Sequence, residues 1–333
     1  MIKLIFSLLF SLTLFADAQS NNMPYRLQWR ENLGYCGEIS LITAGLYYGQ
    51  YLSQYDVRAL ATSDGSQTGG QLLIGTNDTT TADLLHLTYE EFDTDSQQTT
   101  DEFLTWVKQQ VVAEYPTIIG IFSNQYLFYG NTDPLAGDED YDHIVPVIDV
   151  SSKHPLSDPT YYGDDTLGFS DNGLWKTQTR PVYYFSYEFD PFQTDRTGAN
   201  DPDGPVYSLN DNASNYGIAI TGIKDLNGDT VPVRIETYSN YEKPDIVDHS
   251  NVRPLPTSLV LTITISELEL NTPYILYRYN DLDLVPDSEF NANAANAYES
   301  WPIQVQYHPT YTLTEVIHSN EIAVYRCVKA SAP

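Results

Sequence analysis

Three short stretches carry residue types able to do chemistry together. In "ENLGYCGEIS" Cys36 is framed by Gly34 and Gly37 and stands directly ahead of a run that reads as helix. A thiol becomes a nucleophile when it ionises, and the unpaired amides of a helix N-terminus favour the anion. A base is needed next, and His143 opens the apolar run "HIVPVIDV". A third group must hold the other imidazole nitrogen, and "FSDNG" offers Asp171 or Asn172 at the end of a following strand. The chemistry implied is acyl transfer through a thioester. The competing explanations for Cys36 are a disulfide with Cys327, since these are the only two cysteines and paired thiols are the rule in exported chains, and an inert buried thiol.

The elements that must position these groups are legible in outline. Ile39, Ile42, Leu46, Leu52 and Val57 fall near helical spacing, which predicts a helix from Gly37 to about Leu60. A second helix is predicted over 100–114, capped by Thr99 or Thr100, acidic in its first turn, and ended by Pro116. "TIIGIFSN", "HIVPVIDV", "TLGFSDNG" and "PVYYFSYEF" read as strands, so this part is of the α+β class.

The order of these blocks, "NLGYCGE" with its helix, then "YDHIVPV", then "LGFSDNG", resembles the papain-like cysteine peptidases, nearest the branch of bacteriocin-processing peptidases, over about residues 25–190. The resemblance implies Cys36 as nucleophile, His143 as general base and acid, and Asp171 or Asn172 as the group orienting the imidazole. The family also has a glutamine six residues before the nucleophile that donates to the oxyanion. Here that position is Arg30, which leaves Asn32 and Gln28 as the neighbouring amides able to serve.

The first residues, "MIKLIFSLLFSLTLFADAQS", have a basic head, an apolar run too short to span a bilayer, and small residues before Gln19. They predict a signal peptide over 1–18 and an exported, extracellular protein. The stretch 190–205 is rich in Asp, Gly, Asn and Pro and reads as a linker. The expected organisation is therefore a peptidase-like domain at 19–189 and a β-sandwich at 206–333. In the latter part helix signals vanish. "YGIAITGIKDLNGDTVPVRIETY" reads as a hairpin about Asn227-Gly228, and Leu259, Leu261, Ile263 and Ile265 alternate with polar residues. "LELNTPY" resembles the strand-corner motif of fibronectin type III domains, with Leu270 where that motif has proline.

With Lys plus Arg at 16 against 45 Asp plus Glu, the formal charge is −29, a surface that repels nucleic acid and anionic membranes. The hydrophobic fraction of 41% and 27 tyrosines suffice for a packed core. Asp225, Asn227 and Asp229 have the oxygen spacing of a calcium loop but lack its later glutamate, and they read as a turn. No cofactor motif is present. Two functions follow as expectations: a secreted cysteine peptidase or acyl hydrolase acting on a peptide or protein substrate, or a catalytically inactive binding protein that keeps the fold. The oligomeric state is not encoded in any of these features.

Overall fold

The computed structural model describes residues 17–331 except 22, 24–25, 29–33, 63–66, 68–69, 93–97, 176–182, 213 and 238–254. The chain begins with β1 (Asp17–Ser20), α1 (Cys36–Tyr47), β2 (Gln50–Tyr51), α2 (Gln54–Thr62), α3 (Asp78–Leu84) and β3 (Leu87–Glu91). It continues through α4 (Thr100–Val112), β4 (Thr117–Ser123), α5 (Gln125–Tyr129), β5 (His143–Ser152), β6 (Thr166–Ser170) and β7 (Tyr184–Glu188). Two helical turns, α6 (Phe189–Phe192) and α7 (Arg196–Ala199), flank β8 (Gln193–Thr194). The remaining strands are β9 (Tyr207–Asn210), β10 (Gly217–Ile223), β11 (Thr230–Val231), β12 (Val233–Thr237), β13 (Ser258–Ile265), β14 (Pro273–Tyr279), β15 (Glu299–Gln304), β16 (Tyr311–His318) and β17 (Ala323–Lys329).

Helices and antiparallel sheets together give the α+β class. The main sheet runs β3-β10-β4-β5-β6-β7, with β1 on β5 and β9 on β4. Its central strand β4 is buried along its whole length. Alternation then decides what each face meets. Ile118 and Ile144 join the cluster that contains α1, whereas Ile119, Ile121, Val145 and Val147 join the cluster of Phe103, Val107 and Val111 on α4. α4 starts where expected because Thr99 and Glu102 form a reciprocal capping box.

The single helix expected from Gly37 to Leu60 is broken. α1 stops at Tyr47, and Gly49 takes a left-handed φ of +72° against Val233, where a Cβ would collide with the valine side chain. The chain then contributes β2 to another sheet, antiparallel to β17, before α2 begins. Every residue of α1 from Gly37 to Tyr47 is buried, because one side packs on β5 and another on β12.

The second half forms a three-stranded sheet, β12-β13-β16, and a five-stranded one, β11-β17-β14-β15 with β2. In the corner "LELNTPY" the Tyr274 hydroxyl accepts the Glu269 amide at 3.1 Å, tying the turn to the strand that follows. The expected hairpin at 217–237 is different in kind. The turn forms, with Gly228 at φ +67° and Asp225 accepting its amide, but the arms diverge: β10 inserts between β3 and β4 while β12 pairs β13. Residues 190–205 are also not a bare linker, since Phe192 and Ala199 are buried within them. The sheets therefore do not divide at the expected boundary, because β9 and β10 lie beyond it yet complete the first sheet. One cluster of buried side chains runs from Ile39 and Leu46 of α1 to Leu261, Leu276 and Cys327 of the smaller sheets.

Residues 1–16 of the expected signal peptide lie outside the described residues. A cut after Ala18 would leave Gln19 and Ser20 of β1 paired with Val150 and Asp149 of β5. Among the described residues no helix is long and apolar enough to cross a membrane.

Candidate active site

Cys36 is the first residue of α1, and the residue before it, Tyr35, supplies no side-chain cap, so the helix amides stay open toward the thiol. The approach is possible only with glycine at 37, where a Cβ would strike the Leu72 carbonyl. Gly34 has φ +67°. The loop is pinned from behind by a buried ion pair. Glu38 accepts Arg58 Nε at 2.8 Å and the Leu72 amide at 3.1 Å, while Arg58 also donates to the Gly34 carbonyl and stacks over the Tyr35 ring at 3.5 Å. Glu38, Arg58 and Leu72 carried no motif of their own in the sequence.

The two cysteines are not bonded to each other. Cys327 lies buried in β17, and burial pushes its thiol up to about 12. Cys36 is also pushed up, to about 11. Burial is the main cause and the Glu38 carboxylate adds to it, while the amides of Ile144, Gly37 and Cys36 itself act in the opposite sense.

His143 opens β5 at the rim of the main sheet. Its Nε2 lies 3.0 Å from the main-chain carbonyl of Asp171, which can only accept, so Nε2 carries the proton and Nδ1 is left as the basic nitrogen. The ring stacks on Tyr207 with centroids 5.9 Å apart. Burial lowers the imidazole to about 4, against a small opposing pull from the Asp171 carbonyl. Strand alternation places Ile144 against α1 while His143 follows Val145 to the Tyr207 side, away from the cluster against which Cys36 packs. No hydrogen bond joins the Cys36 sulfur to the His143 ring among the described residues.

Asp171 thus meets His143 through its backbone. Its carboxylate is spent on the turn that follows, accepting from Gly173 N at 2.9 Å, Trp175 N at 2.8 Å and the Tyr207 hydroxyl at 3.0 Å. Burial raises it to about 6 despite those three donors. Asn172, at a left-handed φ of +55°, makes no hydrogen bond to the imidazole through its side chain. Its Nδ2 lies 3.0 Å from the Ile144 carbonyl, 3.2 Å from Ser40 Oγ and 3.3 Å from the Cys36 carbonyl, which ties the start of α1 to β5. Tyr207, which supports both His143 and Asp171, comes from beyond the expected linker and had no signal in the sequence.

Gln28 lies beside the start of α1. Its Oε1 accepts the Tyr35 amide at 3.2 Å, and its backbone N–H donates to the Asn172 carbonyl at 3.0 Å, which holds this stretch against the turn after β6. Asn32 and Arg30 lie outside the described residues. A cleft of about 790 Å³ brings Gln28, Cys36, Gln71, Tyr141 and His143 to one surface, with Asp138 and Asp142 on the acidic side. At the distant calcium-like turn the Asp225 carboxylate is taken by Gly228 N, Thr230 N and Thr230 Oγ1, and no cluster of metal-binding side chains occurs among the described residues.

Compared with known proteins, the chain matches no protein-family model, no curated protein and no solved structure.

Proposed function

We propose that the protein is an exported cysteine-type acyl hydrolase of the peptidase kind, with Cys36 as nucleophile and His143 as the proton carrier. The observation that carries this reading is that a thiol at an uncapped helix start, an imidazole of fixed tautomer and the Gln28 carboxamide open on one cleft. In this scheme the Cys36 sulfur attacks a substrate carbonyl and its proton passes to His143 Nδ1. The resulting oxyanion accepts from the Cys36 amide and Gln28 Nε2. Collapse gives a thioester and the leaving amine takes the proton from His143; water, deprotonated by the same nitrogen, then frees the acid and the thiol. Both groups are neutral before substrate arrives, so the mechanism is general-base attack by a thiol rather than a stored ion pair, and the ring must close on the sulfur as the acyl group binds. Asp138 along the cleft favours a substrate with positive charge near the scissile bond, whereas Asp142 is already paired with Arg196.

A second reading, an inactive binding protein that keeps the fold, is favoured by one observation: His143 sits on the far side of the strand from Ile144 and makes its one ring hydrogen bond to a backbone carbonyl. p-Nitrophenyl acetate separates the two. The hydrolase reading expects one equivalent of nitrophenol per Cys36 in a rapid phase at pH 7. That phase slows by about 10²–10⁴ in His143→Ala and disappears in Cys36→Ala. Equal rates in the wild type and His143→Ala, climbing tenfold per pH step as for an isolated thiol, would overturn it in favour of the binding protein.

A further inference from the structure

A second cavity, of about 410 Å³, lies at the opposite ends of α1 and α4, where the main sheet meets the two smaller ones. Tyr47, Tyr48 and Tyr115 line it together with four charged side chains, Arg234, Arg326, Glu114 and Glu267. Arg326 is 1% exposed. Its Nη1 donates to the Tyr48 and Tyr325 carbonyls at 3.1 and 2.9 Å and its Nη2 to Gln50 Oε1 at 3.1 Å, but Nε has no acceptor among the described residues. Neither Arg326 nor Arg234 has a carboxylate within ion-pair distance among those residues, and the Arg234 guanidinium lies over the Tyr47 ring at 3.9 Å.

The bond to Tyr48 caps the end of α1, yet a helix terminus carries only about half a charge. It leaves a buried guanidinium with a spare N–H, on which the Asp225 and Asp287 carboxylates act only from beyond ion-pair distance, an arrangement that is costly unless something nearer supplies the anion. The two glutamates are exposed and stay apart from the arginines. Glu114 accepts from Gln19 Nε2 at 3.2 Å, and Glu267 holds no ion pair among the described residues. Both are held at left-handed φ values, +63° and +60°, which few residues other than glycine adopt. One cavity therefore keeps cations inside and anions at its margin without letting them meet.

We propose that this cavity binds a small zwitterion of the amino-acid class, its carboxylate toward Arg326 and Arg234, its ammonium toward Glu267 and Glu114, and its side chain among the tyrosines. A simple anion would be repelled by the glutamates, and a simple cation by the arginines. The volume is that of a small-ligand pocket. The proposal does not depend on any activity at Cys36.

The test is calorimetric titration of the full chain with L-phenylalanine, L-phenylalaninamide, which lacks the carboxylate, and N-acetyl-L-phenylalanine, which lacks the ammonium. Saturable binding of phenylalanine is expected, weakened at least about tenfold in each derivative. A matching loss is expected in the Arg234→Gln and Glu267→Gln variants, whose folding is checked by unliganded melting temperature. Should Arg234→Gln not fold, Glu267→Gln and the two derivatives still decide the matter. No saturable heat with phenylalanine up to about 10 mM, or equal affinity for the N-acetyl derivative, overturns the proposal.

Discussion

The Asp171→Asn variant separates the two ways in which this residue could serve the candidate site. If the carboxylate oriented His143, an acid-to-amide change would be expected to lower the acylation rate by about 10⁴, the loss known for such a change in serine-peptidase triads. The geometry predicts otherwise. His143 Nε2 is held by the Asp171 carbonyl, which asparagine retains, so acylation of Cys36 should stay within about tenfold of wild type. The carboxylate instead leaves its mark on stability. Burial raises it from 3.8 to about 6, so folding favours the protonated form. Stability from this group is complete below the unfolded value and is lost as pH rises through 6. A shift of that size corresponds to about 3 kcal/mol in full, of which about 2.5 kcal/mol falls between pH 4 and 7. D171N cannot titrate, although it exchanges one of three accepted hydrogen bonds for a donor, a cost that does not vary with pH. Urea unfolding of both proteins across that range should therefore show the D171N variant gaining about 2.5 kcal/mol on the wild type from pH 4 to pH 7. A difference that stays flat with pH, or an acylation rate that falls a thousandfold or more, would refute the assignment of the carbonyl as the orienting group.

Two further outcomes are expected. Lys108→Met should cost about 3–5 kcal/mol at pH 7, because Lys108 Nζ lies 2.6 Å from Asp165 Oδ2 with both side chains buried, and removing the cation strands the carboxylate. Chemical denaturation reads the loss as a lower urea midpoint. Thr99→Ala removes the capping box of α4 and should lower stability by about 1 kcal/mol, seen as a lower urea midpoint with an unchanged slope.

Local signals in the sequence proved readable and long-range ones did not. Thr99 and Glu102 mark the start of α4 because a capping box is a matter of three residues' spacing, and the glycines about Cys36 mark a tight helix entry for the same reason. Gly49 gives no local signal of a break because apolar spacing on both sides of it is helical, and only Val233, far along the chain, makes the break necessary. The Asn227-Gly228 turn was visible, but a turn does not say whether its arms pair with each other. β10 is taken by β3 and β4, and β12 by β13. At the site itself, residue types pointed to Cys36, His143 and Asp171, yet residue type cannot reveal that Asp171 acts on His143 through its carbonyl. Nor can it reveal that Tyr207 would arrive from beyond 205 to stack on the imidazole.

The pairing of Gln50 and Tyr51 with Val324 and Ala323 also sets a timetable. About 270 residues separate the two strands along the chain, so this sheet cannot close until both stretches are present. Until the closing residues emerge, α1 keeps one side bare of its eventual neighbours, and the nascent chain must be sheltered from sticking to other chains. A chain cut anywhere before Ala323 would leave β2 without its partner strand and one side of this core uncovered.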